Sequence, residues 1–170
     1  MAVIEKFLGQ RVEIPEDRRY VAKQGLWGQC EDQAIVFGLC QPALVLLGGV
    51  KEFDWLVEDG HRAAAGEAVL FAITGKILYI DSPVAGVVQF NSSLRENPAP
   101  IADDPYGRGW LFSVRPQGDV DPLYRGLLSA EAYLESLQDS EGLKNPEGIK
   151  GGVSGICKAV YTGIGAQARK

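Results

Sequence analysis

A chain of 170 residues is long enough to bury a proper core as one domain with tails, and its 46% hydrophobic content is ordinary for a globular fold. The formal net charge of -5 argues against nucleic acid as the main partner, and no apolar run approaches a transmembrane length. Three widely spaced cysteines (Cys30, Cys40 and Cys157) form neither a disulfide framework nor a C-x-x-C zinc pair, and the single histidine, His61, argues against a metal site. The start, Met1 to Phe7, has neither a signal core nor a basic, acid-poor transit character, so a cytoplasmic protein is expected.

Residues 1–13 read as an N-terminal lead, with Arg11 to Ile14 alternating as a strand would. Strands are expected at Leu26 to Cys30 and Ala34 to Leu39, joined as a hairpin through Glu31-Asp32-Gln33. Pro42 opens a short helix that Gly48-Gly49 ends at Leu47. Val50 to Leu56 alternates Phe53 and Trp55 against Glu52 and Asp54, the pattern of a half-buried strand.

The next stretch organises the rest. Ala68 to Ile73 and Ile77 to Ile80 are short apolar runs flanking Thr74-Gly75-Lys76, which reads as a β-hairpin. A two-residue Gly75-Lys76 loop predicts a type II′ turn with Gly75 at positive φ, a position that Gly75→Val should strain. Lys76 then sits on a tight tip pointing at water. Glycines stand ten and sixteen residues before it, at Gly66 and Gly60.

Val84 to Phe90 is a strand, Ser92-Ser93-Leu94 a helical turn, and Trp110 to Val114 a strand that closes the sheet. Asp121-Pro122 starts a helix, and Ser129 caps a second over Ala130 to Gln138, with Tyr133, Leu134 and Leu137 along one stripe. Many short strands with regular turns predict a mainly β fold.

Asp81-Ser82-Pro83-Val84-Ala85-Gly86-Val87-Val88 after a hairpin lysine resembles the lipoyl and biotinyl carrier domains. Glu96-Asn97-Pro98 and the string Asp104-Pro105-Tyr106-Gly107-Arg108-Gly109-Trp110-Leu111-Phe112 narrow the resemblance to the H protein of the glycine cleavage system. It runs from Ile14 to about Leu137, giving a lipoyl carrier domain over 14–138. The fold it implies is a flattened lipoyl-type β-barrel or sandwich with short helices and a C-terminal helix. It also implies lipoate bound covalently to Lys76, the sole lysine between Lys51 and Lys144. Such a protein is a carrier and not an enzyme, because the chemistry belongs to the arm. The implied partners are a lipoate ligase or transferase, a pyridoxal-phosphate decarboxylase, a folate-dependent aminomethyltransferase and dihydrolipoamide dehydrogenase.

The sequence departs from the family at Ile73, where a glutamate is usual, and Lys76 precedes Pro83 by seven residues instead of eight. Cys40 stands where the family has threonine. Cys40 and Cys157, with the departures around Lys76, motivate a second reading, a lipoate-binding sulfur carrier for a heterodisulfide-reductase-like system. A third is an interaction domain without lipoate. Residues 139–170 form a glycine-rich extension of net charge +2, leaving -7 on the rest. Ile149, Val153, Ile156, Val160 and Ile164 recur in it at helical spacing, while its glycines oppose a helix. A chain ending at Gln138 is therefore expected to unfold cooperatively with little loss of midpoint.

Overall fold

The computed structural model describes residues 1–149. Cys157 and the helical spacing expected after Ile149 lie outside them. Every paired strand is antiparallel, and the strands form three sheets.

The N-terminal lead is a hairpin of its own. β1 (Ala2–Phe7) pairs with β2 (Gln10–Ile14), and both loop residues, Leu8 and Gly9, have positive φ. That is the geometry of a primed turn, whose twist matches the strands it joins. β3 (Arg19–Val21), β4 (Leu26–Glu31) and β5 (Ala34–Leu39) follow. The β4–β5 turn, Asp32-Gln33, also has both residues at positive φ. Helix α1 (Gln41–Leu47) has proline in its first turn and a left-handed Gly48 at its end, as the sequence predicts.

β6 (Glu52–Trp55), the two-residue β7 (Arg62–Ala63), β8 (Ala68–Ile73) and β9 (Ile77–Asp81) come next. β10 (Gly86–Phe90) leads to the single-turn helices α2 (Ser93–Glu96) and α3 (Pro100–Asp103), then β11 (Phe112–Arg115). Asp119 caps α4 (Val120–Arg125), two residues ahead of the expected Asp121, and Ser129 caps α5 (Ala130–Ser136) through the Ala132 amide. A 3-10 turn (Leu137–Asp139) and α6 (Glu141–Lys144) are the last elements among the described residues.

The six-stranded sheet runs β3-β4-β5-β11-β10-β7, and the three-stranded sheet runs β6-β8-β9. They close face to face on one core. Ile35, Phe37, Val88, Phe112 and Val114 come from the first sheet, and Val69, Leu70 and Ile80 from the second. The sheets stay separate, so the flattened fold is a sandwich and not a closed barrel. A second core gathers Phe7, Val12 and Ile14 with Tyr20, Trp27, Cys40, Tyr133 and Leu137. The Tyr20 and Tyr133 rings stack in it, 4.7 Å apart and nearly parallel. No helix among the described residues is long and apolar enough to cross a membrane.

The motif from Asp104 to Phe112 is a hub of this second core. Tyr106 donates its hydroxyl to the Glu13 carbonyl at 2.6 Å and accepts from the Gln41 amide at 3.0 Å. The Pro105 carbonyl accepts from Trp27 Nε1 at 2.9 Å. A Cβ on Gly109 would strike the Pro100 carbonyl oxygen. One short string thereby ties β2, β4 and α1 together, and its chemistry is structural.

The extension begins as packed structure. The Leu8 amide donates to the Gly142 carbonyl at 3.0 Å, the Gly9 amide to the Pro146 carbonyl at 2.7 Å, and Lys6 pairs with Glu147 at 2.8 Å. Gly142 lies against the Phe7 ring, which is fully buried. Cutting at Gln138 uncovers that ring, and burying an aromatic of this size contributes about 1.5–3 kcal/mol. A chain ending at Gln138 is expected to unfold cooperatively but to melt about 5 °C lower than the full chain. Thermal unfolding followed by circular dichroism checks this.

Candidate functional site

The three-stranded sheet presents Lys76. Gly60 and Gly66 stand at positive φ in the turns either side of β7, feeding the chain into β8. β8 and β9 pair Ile73 with Ile77, Ala72 with Leu78, Phe71 with Tyr79 and Leu70 with Ile80. A register shift on the β8 side, between Ala68 and Leu70, leaves β9 alternating regularly. Lys76 is exposed in the turn. It joins none of the ion pairs among the described residues.

The turn differs from the sequence expectation. Ile73 faces Ile77, so the loop is the three residues Thr74, Gly75 and Lys76. Thr74 holds it closed: its amide donates to the Lys76 carbonyl at 2.9 Å, and its hydroxyl donates to the same oxygen at 3.3 Å. Thr74 is only 6% exposed, so the tip is seated on the sheet. Gly75 is not at positive φ, and a Cβ there would meet nothing within 4 Å. The type II′ expectation fails because Thr74 turns its amide and hydroxyl onto the Lys76 carbonyl instead of pairing with Ile77; on the other side of β8 the Lys51 amide donates to the Ile73 carbonyl at 2.8 Å, extending the sheet to the base of the loop. Gly75→Ala is therefore expected to change stability by no more than about 0.5 kcal/mol, read by chemical denaturation. A loss above about 1 kcal/mol would show that this turn needs a left-handed residue.

The face around the lysine is apolar. Ile77 and Tyr79 are each 57% exposed, and their partners Ile73 and Phe71 are half-buried beside them. Glu52 and Asp54 on β6 border this stripe, paired with Ile73 and Phe71. Arg95 holds Asp54 at 2.8 Å and lowers its pKa, with help from the Trp55 amide. Ile73, where the resemblance leads one to expect glutamate, completes a continuous hydrocarbon surface with Ile77. On the opposite side of β9, Leu78 forms one wall of a groove of about 200 Å³ that also includes Ala43, Leu46, Leu47, Tyr133 and Leu137. Two residues of strand separate this wall from Lys76, about 7 Å.

Cys40, the thiol that motivated a sulfur-handling role, is fully buried. It sits in the second core beside Tyr133, and burial pushes its pKa far up. A thiol nucleophile reacts as thiolate, so Cys40 is inert in the folded protein. Cys30 is half-buried on β4, and burial with Asp121 and Asp119 nearby also raises its pKa. Iodoacetamide at neutral pH should leave Cys40 unlabelled in the native protein and label it after denaturation, as peptide mass mapping reads. Native labelling of Cys40 as fast as Cys30 would mean that this core opens readily. His61 Nε2 donates to Glu67 at 2.8 Å, and the other oxygen of that carboxylate accepts from the Ala64 amide, so the pair staples the β7–β8 turn.

Comparison with known proteins points to one family. The family profile for the glycine cleavage H-protein matches residues 18–140. A glycine cleavage system H protein of Thermus thermophilus is 37% identical over 131 residues, which is 75% of this chain and 98% of that protein. One from Neisseria meningitidis serogroup C is 37% identical over 122 residues, covering 71% and 93%. The crystal structure of a glycine cleavage system H protein from Mycobacterium marinum superposes with a TM-score of 0.61 at 30% identity, covering 72% of this chain and 98% of that one. The chain belongs to the glycine cleavage H-protein family.

Proposed function

We propose that Lys76 carries a lipoyl group in amide linkage and that the chain is the lipoyl carrier of a glycine cleavage system. The observation that carries this is the placement of Lys76 in a family member: its amine is exposed, and Thr74 locks the loop beneath it. Held by Lys76, the group would supply a cyclic disulfide able to take up an aminomethyl unit at one sulfur as the S–S bond breaks and the other sulfur is released as a thiol. The protein's own contribution is presentation. The rigid tip keeps the attachment point clear of the body, and tethering raises the arm's effective concentration at each partner site. The apolar stripe of Ile73, Ile77 and Tyr79 and the groove beside Leu78 both suit an aliphatic arm.

The partners under this reading are a pyridoxal-phosphate decarboxylase, a folate-dependent aminomethyltransferase, dihydrolipoamide dehydrogenase and a lipoate ligase or transferase. The chain acts as a carrier between them and not as a catalyst. The sulfur-carrier alternative drew on Cys40, Cys157 and the departures around Lys76; of these, the Cys40 thiol is sealed in the core, and Cys157 lies outside the described residues.

The test supplies lipoylated protein and the decarboxylase of the same organism with glycine and labelled bicarbonate. Label entering the glycine carboxyl group supports the proposal. A fully lipoylated protein that supports no exchange with an active decarboxylase overturns it.

A further inference from the structure

β9 is an edge strand, and its free side begins at the lysine. Alternation in an antiparallel ladder sends each residue's N–H and C=O either to the partner strand or away from it. Two observations fix the phase here. The Lys76 carbonyl turns inward to Thr74. The Asp81 amide and carbonyl turn outward, donating to Gln24 Oε1 at 2.6 Å and accepting from Gln24 Nε2 at 3.1 Å. Leu78 and Ile80 therefore bond to β8, while Ile77 and Tyr79 aim their N–H and C=O groups outward. Among the described residues nothing pairs with those four groups.

The Gln24 carboxamide acts as a single peptide unit laid against the edge at Asp81. The two outward residues nearer the lysine are left open, and their side chains are the most exposed apolar groups of the sheet. An unpaired edge is a template for another strand. Any enzyme that acylates Lys76 must take this tip into its active site, so the edge is continuous with a surface that has to be contacted.

We propose that an extended strand of the enzyme that acylates Lys76 pairs with the outer edge of β9 at Ile77 and Tyr79, extending the three-stranded sheet across the interface. The proposal rests on Lys76 being the lipoyl lysine. It assigns recognition to backbone groups, with Ile77 and Tyr79 side chains covering the joint. It also explains how a ligase can accept a tip with Ile73 in place of an acidic residue, because backbone pairing is indifferent to that side chain.

The test uses the unmodified full chain, labelled with nitrogen-15, and the cognate ligase loaded with a non-transferable lipoyl-adenylate analogue. The Ile77 and Tyr79 amides should exchange at least about tenfold more slowly in the complex. Leu78 and Ile80, already bonded to β8, should change less. A second arm compares Tyr79→Pro, which removes one outward N–H and spares the β8 ladder, with Tyr79→Ala, which keeps it. Lipoylation kcat/KM should fall about tenfold more for the proline variant, the effect of one lost hydrogen bond. Thermal unfolding reports whether each variant is folded; if the proline variant is not, the exchange result on the unaltered chain decides. Ligase binding without protection of Ile77 and Tyr79 overturns the proposal. So does equal lipoylation of the two folded variants. Protection that grows with chain concentration in the absence of ligase also overturns it, because a second copy then takes the edge. Normal lipoylation of Lys76 with an unprotected edge sinks this proposal alone, whereas an active ligase that leaves Lys76 unmodified sinks the reading of Lys76 as well.

Discussion

Lys76→Arg is expected to abolish lipoylation and, with it, support of glycine–bicarbonate exchange. This is the largest functional effect expected of any single substitution in the chain. Arginine keeps the charge but offers no amine for an amide bond, and among the described residues the exposed tip makes no ion pair that the change would break. The variant should therefore melt with the parent while gaining no mass from its cognate ligase. Lys51 is the informative control. Its amide bonds to the Ile73 carbonyl at the base of the same loop, and its side chain is exposed, so a ligase working by proximity would find it next. Lys51→Arg should take up one lipoyl group at the parental rate. A mass gain in Lys76→Arg, mapped to Lys51 or elsewhere, would remove Lys76 from its role. A foreign ligase is a weaker test of the parent because of Ile73, and Ile73→Glu is expected to raise modification by such an enzyme.

Lys76 is legible in the sequence because local chemistry marks it: two apolar runs, a glycine beside the lysine, and glycines at set distances upstream. The same holds for β4–β5, α1 and the Ser129 cap, each announced by alternation, proline or a capping residue within a few positions. The misses share a different cause. β1–β2 turns through Leu8 at φ 52, a residue that gives no sign of a left-handed conformation, and its outer position Val3 faces solvent, which blurs the pattern. β7 is two residues long and exists only because β10 pairs with it. The turn at Gly75 departs from its sequence expectation in register, with Ile73 facing Ile77 and the base of the loop bonded to Lys51, more than twenty residues upstream. The open edge of β9 depends on sheet order, which no short window contains. Cys40 reads as a candidate thiol in sequence, and the residue that closes over it, Tyr133, lies far along the chain. What sequence conveyed was the tip; what it withheld was everything decided by which strand lies beside which.

The largest stability effect is expected at Trp27, remote from the lysine. Trp27→Ala should cost about 3–5 kcal/mol and lower the melting point by about 10 °C. The indole is 2% exposed, and Gly38 on the paired strand has no side chain because a Cβ there would lie 2.6 Å from the ring. No neighbour is therefore placed to fill the void, and relaxation can recover little of the loss. Two further terms add to it. The Pro105 carbonyl loses its donor in the motif from Asp104 to Phe112. Arg18, whose guanidinium carbon lies 4.4 Å from the indole centroid, loses the ring face that covers it. Arg18 has few substitutes: Nη1 donates to the Tyr106 carbonyl at 2.7 Å, but among the described residues Nε has no hydrogen-bond partner, and Asp17 at 3.7 Å is too far to be one. Trp27→Phe should recover the packing and leave the Pro105 carbonyl and Arg18 less well served, landing between alanine and the parent. Because the β8–β9 hairpin packs into the other core, folded Trp27→Phe should be lipoylated at the parental rate. A melting point within 2–3 °C of the parent for Trp27→Ala, about 1 kcal/mol, would mean that the second core re-forms around the gap and that the hub of Pro105 and Tyr106 holds without its indole.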